Sequence, residues 1–178
     1  MNRHDILSEN SEHHWPFLQT KDQVVLDLGC GIHGTTDVYQ SSPVYFGEQG
    51  ATKVIGIDAD HGTIEYFQNL INDSTLDKNK YTFVQRFIND VNDVKDLLAT
   101  YNPTVLKCDI EEYETSLYGL GKDDLSNITA LGIEYHTLEI LDAITKKIEE
   151  WGFTIDVTAR FAFVDAPQMG VLFCTKNK

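Results

Sequence analysis

The chain has 178 residues, a length that suits one domain. With 42% hydrophobic and 24% charged residues it has the composition of a soluble globular protein, and no apolar run approaches a membrane span. The 28 acidic and 14 basic residues give a formal net charge of -14, which repels a phosphate backbone at long range. No basic stripe is present, so neither nucleic acid nor a membrane is the expected partner. The polar N-terminus lacks the apolar core of a signal peptide, and Cys30, Cys108 and Cys174 form no CxxC pair. Three such thiols in apolar strands fit a reduced, cytoplasmic protein.

Residues 1–21 read as a polar arm, and residues 22–178 as the domain. A short helix is expected to open at residues 5–8. His13 and His14 are adjacent, point apart and have no third ligand nearby, which is a poor pattern for a metal. Pro16 argues against a helix at Trp15 and Phe17. In an extended segment both rings point the same way and reach one surface, either a ligand mouth or the edge of the core. A strand is expected at 23–28, apolar enough to be buried on both faces. Ser42 followed by Pro43 marks a helix start, with the helix at 44–49 stopped by Gly50. A second strand follows at 53–58. The next helix, 62–71, sets Ile64, Phe67 and Ile71 on one face.

Residues 81–87 read as the third strand. Val91, Val94, Leu97, Leu98 and Tyr101 give a helix closed by Asn102 and Pro103. A fourth strand at 104–109 leads to an expected helix at 112–120, with Tyr113, Leu117 and Leu120 inward and Glu114 on its surface. The fifth strand, 131–135, precedes the clearest helical stripe, Leu138, Leu141, Ile144, Ile148 and Trp151, ended by Gly152. The last two strands, 153–159 and 169–175, are joined too briefly for a crossover helix and should pair as a hairpin. This alternation predicts an α/β fold. Its sheet is doubly wound, mostly parallel and seven-stranded, ends in an antiparallel hairpin, and has helices on both faces. Ligands of such sheets sit beyond the carboxyl ends of the strands.

The chemistry concentrates in VVLDLGCGIHG, residues 24–34. A strand there breaks into Gly29, Gly31 and Gly34, and the next strand ends at Asp58. Glycines let a backbone approach a ligand closely, and a carboxylate at the second strand end is placed to accept both hydroxyls of a ribose. A nicotinamide dinucleotide and S-adenosylmethionine both fit this pattern. Asp27, just before the glycines, is unwelcome beside a pyrophosphate and well placed beside a positively charged amino acid head.

On these residues the chain resembles class I S-adenosylmethionine-dependent methyltransferases. The resemblance covers about residues 23–175 and implies a Rossmann-like fold. VVLDLGCG corresponds to the first motif of that family. The resemblance further implies that Asp27 lies near the methionine amino group, with Gly29 and Gly31 at the cofactor. Asp58 would then hold the ribose, with residues 87–90, including Asn89 and Asp90, flanking the adenine. A narrower likeness is carried by three segments in order. LKCDIEEYETSLYG, residues 106–119, resembles the K-I-D-V-E-G-x-E segment of FkbM-type methyltransferases, IEYHTLEI their E-x-H strand, and EEWGF the end of the following helix. That likeness implies transfer of methyl to a hydroxyl of a sugar or natural product. Glu112 stands where the family motif has glycine, and the stretch 32–43, with His33, Asp37 and Tyr39, is longer than usual.

Methyl transfer to a hydroxyl needs an acceptor held in line and a group to take its proton. Asp109 and Glu111, two apart at one strand end, and Glu134 and His136, two apart at the next, should face one pocket. His136 is the best base by intrinsic pKa unless it merely caps the helix at Thr137, and Glu111 would otherwise cap or pair with a lysine such as Lys107. The same four groups suit a divalent metal, magnesium or manganese, that would acidify a substrate hydroxyl. The expected function is a methyltransferase acting on a small molecule, alone or as a homo-oligomer. The alternatives are an NAD-dependent oxidoreductase and a non-catalytic S-adenosylmethionine-binding protein.

Overall fold

The computed structural model describes residues 3–7 as backbone, and 15–31, 41–111, 113–161 and 168–177 in full. His13, His14, His33, Gly34, Asp37, Tyr39, Glu112 and the segment 162–167 lie outside the described residues. The strands are β1 (Arg3–Leu7), β2 (Val24–Leu28), β3 (Lys53–Asp58), β4 (Tyr81–Gln85), β5 (Val105–Cys108), β6 (Ala130–Tyr135), β7 (Phe153–Phe161) and β8 (Gly170–Lys176). The helices are α1 (Ser42–Glu48), α2 (His61–Asn72), α3 (Val91–Tyr101) and α4 (Leu138–Glu150).

The sheet order is β1-β7-β8-β6-β5-β2-β3-β4. Strands β2 to β6 run parallel, and β8 pairs antiparallel with both β6 and β7. The expected seven-stranded, doubly wound sheet with its terminal hairpin is therefore present as β2 to β8, and β1 adds an eighth strand at the edge of β7. The strand order reverses between β2 and β5, which opens a crevice at their carboxyl ends.

Strand alternation splits the core in two. Leu26, Leu28, Leu106 and Cys108 face α3 and α4 with Val94, Leu97, Ile144 and Ile148. Val25, Val54 and Val105 face α1, α2 and the arm, with Phe46, Ile64, Phe67 and Trp15. Trp15 and Phe17 do reach one surface, each meeting Phe173 edge-on at ring separations of 6.3 and 5.4 Å. All three cysteines are free and buried.

Three local expectations are corrected. Residues 3–7 form a strand, not the start of a helix. They lie parallel to β7, whose open edge offers backbone partners that an isolated short helix lacks. The expected helix at 112–120 is only a 3₁₀ turn, Glu114–Leu117, and this turns Glu114 inward to full burial rather than onto a helix surface. Helix α1 starts two residues earlier than expected, at Ser42, with Ser41 before it and no side-chain cap. The Ser42 hydroxyl instead donates to Asp27 at 2.7 Å.

Candidate active site

Gly29 sits at the crossing of three strands. Its φ of 73° lies in the left-handed region, and a Cβ there would stand 1.6 Å from the Asp109 carbonyl oxygen. The N–H groups of Gly29 and Cys30 both donate to the Ile57 carbonyl, at 2.9 and 3.1 Å. The loop is thus pinned between β3 and β5. Burial pushes the Cys30 thiol well above its ordinary pKa, so it is a packing group rather than a nucleophile.

A cleft of about 210 Å³ opens beside this loop. Gly29, Ile57 and Asp58 form one wall, Phe87 and Ile88 another, and Asp109, Glu111 and Tyr113 a third. Asp58 ends β3, and one of its oxygens accepts from the Asp60 N–H at 2.8 Å. The helix cap is Asp60, which accepts from the Thr63 N–H. The division of labour between the two acids leaves Asp58 on the cleft wall. Phe87 and Tyr113 meet edge to face at 5.0 Å across the rim, and both are exposed.

Asn89 and Asp90 do not line this cleft. Asp90 caps α3 in a capping box with Asp93, and the Asn89 N–H donates to Asp93. The wall after β4 is instead Arg86, Phe87 and Ile88, with Arg86 held by Asp93 and Asp96. Gly31 is half-buried and is the last described residue before position 41.

Asp27 is fully buried and lies behind the cleft wall. The register of β2 and β5 sets it opposite Lys107, and the two meet at 2.9 Å. Burial raises the Asp27 pKa, an effect that Lys107 and Ser42 oppose. Burial alone would lower the pKa of Lys107. The charges of Asp27 and Asp109 outweigh it, and the ammonium is held above its ordinary value. Lys107 therefore pairs with these two acids, not with Glu111.

The four expected transfer-site residues come together. Continuing the β5–β6 register past Cys108 and Ile133 brings Asp109 beside Glu134. Ligand atoms of Asp109, Glu111 and His136 all lie within 4.8 Å of one another. His136 Nε2 is 3.4 Å from Glu111 and 3.7 Å from Glu134. Its other nitrogen, Nδ1, is 3.0 Å from the buried Glu114. His136 is not the helix cap, because the Thr137 hydroxyl takes that role. Glu111 has a left-handed φ of 46°, a conformation that costs a non-glycine residue about 1 kcal/mol. The Glu114 carboxylate raises the His136 pKa against the opposing effect of burial. Burial, and next to it the Asp109 charge, raise Glu134 well above the usual carboxylate range.

Sequence reasoning passed over Glu114 and Lys107 as site residues. Both stand at charged positions of the K-I-D-V-E-G-x-E likeness, its first lysine and last glutamate, and that match was the available signal.

No protein-family model and no curated protein matches this chain. Solved structures do match its fold. A ribosomal protein L11 methylase from Lactobacillus delbrueckii subsp. bulgaricus is 15% identical, with a TM-score of 0.58 over 89% of this chain and 72% of that one. The magnesium protoporphyrin IX methyltransferase of Synechocystis PCC 6803, solved with SAH bound, is 16% identical, with a TM-score of 0.58 over 89% and 75%. An rRNA methylase from Streptococcus thermophilus is 14% identical, with a TM-score of 0.59 over 90% of each chain. At such identities the likeness concerns the fold, which is the Rossmann-like fold of class I S-adenosylmethionine-dependent methyltransferases.

Proposed function

We propose that this chain is an S-adenosylmethionine-dependent methyltransferase that methylates a hydroxyl of a small molecule, such as a sugar, in the manner of the FkbM-type enzymes. One observation carries the reading: Gly29 of the glycine turn, the strand-end Asp58, and Asp109 and Glu111 of the His136 cluster border one cleft. The cleft's chemistry fits the cofactor. Asp58 offers carboxylate oxygens suited to a ribose diol, and Ile57, Ile88 and Phe87 offer an apolar surface suited to a base. When bound, the cofactor supplies a methyl group on a sulfonium.

The protein's part is to bind, orient and accept a proton. Asp109 and Glu111 on the cleft wall would hold the acceptor hydroxyl. His136 Nε2, facing Glu111 and Glu134, would take its proton, with Glu114 holding the opposite nitrogen. The net charge of -14 favours a small acceptor over a nucleic acid.

The ligand spacing of Asp109, Glu111 and His136 favours a second form of the same reading, in which these residues hold a divalent cation. A mixed nitrogen and carboxylate set suits manganese better than magnesium. The cation would lower the pKa of the acceptor hydroxyl. The test is radiolabelled methyl transfer from S-adenosylmethionine to a panel of sugars and polyols, with chelator or with manganese. Transfer in chelator that is lost in Asp109→Asn supports proton handling by the protein alone. Transfer only with manganese supports the cation form. No transfer to any acceptor, with S-adenosylmethionine bound, favours the non-catalytic binding protein.

A further inference from the structure

Lys107 is almost wholly buried in the middle of the sheet, and strand register explains what surrounds it. Asp27 is its neighbour on β2 and Gly132 its neighbour on β6. The ammonium donates to the carbonyls of Gly29 at 2.5 Å and Leu28 at 3.3 Å. It lies 2.9 Å from Asp27 and 3.5 Å from Asp109. The Trp15 ring covers it, with 5.1 Å between nitrogen and ring centroid. The ring fits there because Gly132 has no side chain: a Cβ on Gly132 would meet it at 3.1 Å.

An apolar side chain would fill this space at lower desolvation cost. What an apolar side chain cannot do is donate to two carbonyls of one strand end while its positive charge stands between carboxylates of two strands. Those groups belong to the two halves of the cleft, the glycine turn and the acidic cluster. We propose that Lys107 is a positioning residue that locks the turn at Gly29 to Asp109, with Trp15 of the arm sealing the lock from water. Asp27 then serves the site through Lys107 rather than by touching the ligand. The effect on ligand affinity rests on the methyltransferase reading; the lock itself does not.

The test uses the full chain with Asp27 changed to asparagine and Lys107 to methionine together, which removes both charges of the closest buried pair at once. Amide hydrogen exchange is followed at Gly29, Cys30 and Asp109, whose N–H groups bond the Ile57 and Leu28 carbonyls. Affinity for S-adenosylhomocysteine is measured by calorimetry. Exchange at these three amides is expected to accelerate roughly tenfold or more while β3 and β4 keep their protection. Affinity should fall by a similar factor. A uniform loss of protection across the sheet, or none at these amides, overturns the proposal. If the double variant fails to fold, Trp15→Leu replaces it, with faster exchange expected at the same three amides and unchanged exchange overturning the lock. If the unaltered protein binds no S-adenosylhomocysteine but the exchange is local and fast, the lock stands and the methyltransferase reading falls.

Discussion

His136 has a carboxylate at each nitrogen, and the two sides differ. Glu114 at Nδ1 is fully buried, whereas Glu111 near Nε2 is largely exposed. A buried carboxylate beside Nδ1 favours the proton on that nitrogen in the neutral ring, and Nε2 lies on the side of Glu111, a cleft-wall residue. The pKa of His136 lies above its ordinary 6.5, so the ring favours its charged form more in the folded chain than in the unfolded one. Its contribution to stability is therefore complete below that ordinary value and is lost as pH rises through the higher folded value. In metal-free protein, an NMR titration of the His136 ring should give a midpoint above 6.5, and Glu114→Gln should move it down. A midpoint unmoved by that change would remove Glu114 from the account. Little of this pairing was legible beforehand. Periodicity put Glu114 on a helix surface, because Tyr113, Leu117 and Leu120 fit a helical stripe. The chain instead makes one tight 3₁₀ turn, and a three-residue repeat points Glu114 inward.

Elements were easier to read than contacts. Each core strand is a short apolar run, and each α-helix after Gly50 carries a stripe at steps of three and four, signals that survive without tertiary information. The α3 capping box of Asp90 and Asp93 was not read from the sequence, although the two acids stand three apart at the start of an apolar run. That pattern competes with the family-derived role for Asp90 beside the adenine. The pairing of β1 with β7 was not legible, because the open edge of β7 belongs to the other end of the chain. Nor was Lys107 with Asp27. Their contact needs the knowledge that β2 and β5 are neighbours in register, although 80 positions separate their paired residues Asp27 and Lys107. The glycine turn after β2 tests the element scale directly. Gly29→Ala faces both a left-handed φ and the Asp109 carbonyl, so denaturant unfolding should show a loss of at least about 2 kcal/mol. A change below about 0.5 kcal/mol would mean that the turn is looser than described.

At the scale of the whole molecule, the sheet order sets where ligands of such sheets bind as a rule. Reversal between β2 and β5 leaves one crevice at the carboxyl ends, and Gly29, Asp58 and Asp109 all stand at its rim. Among the described residues no helix is long and apolar enough to cross a membrane. The sheet with its terminal hairpin is shared with solved methyltransferases at low identity, so the likeness carries the architecture and the cleft must carry the chemistry. The most direct test of that chemistry is calorimetric titration with S-adenosylhomocysteine and with NAD, on the unaltered chain and on Asp58→Ala. The account predicts that S-adenosylhomocysteine binds, that NAD does not, and that Asp58→Ala weakens binding roughly tenfold or more, as expected for lost hydrogen bonds to a ribose. Binding of NAD alone, or S-adenosylhomocysteine binding indifferent to Asp58, would contradict it.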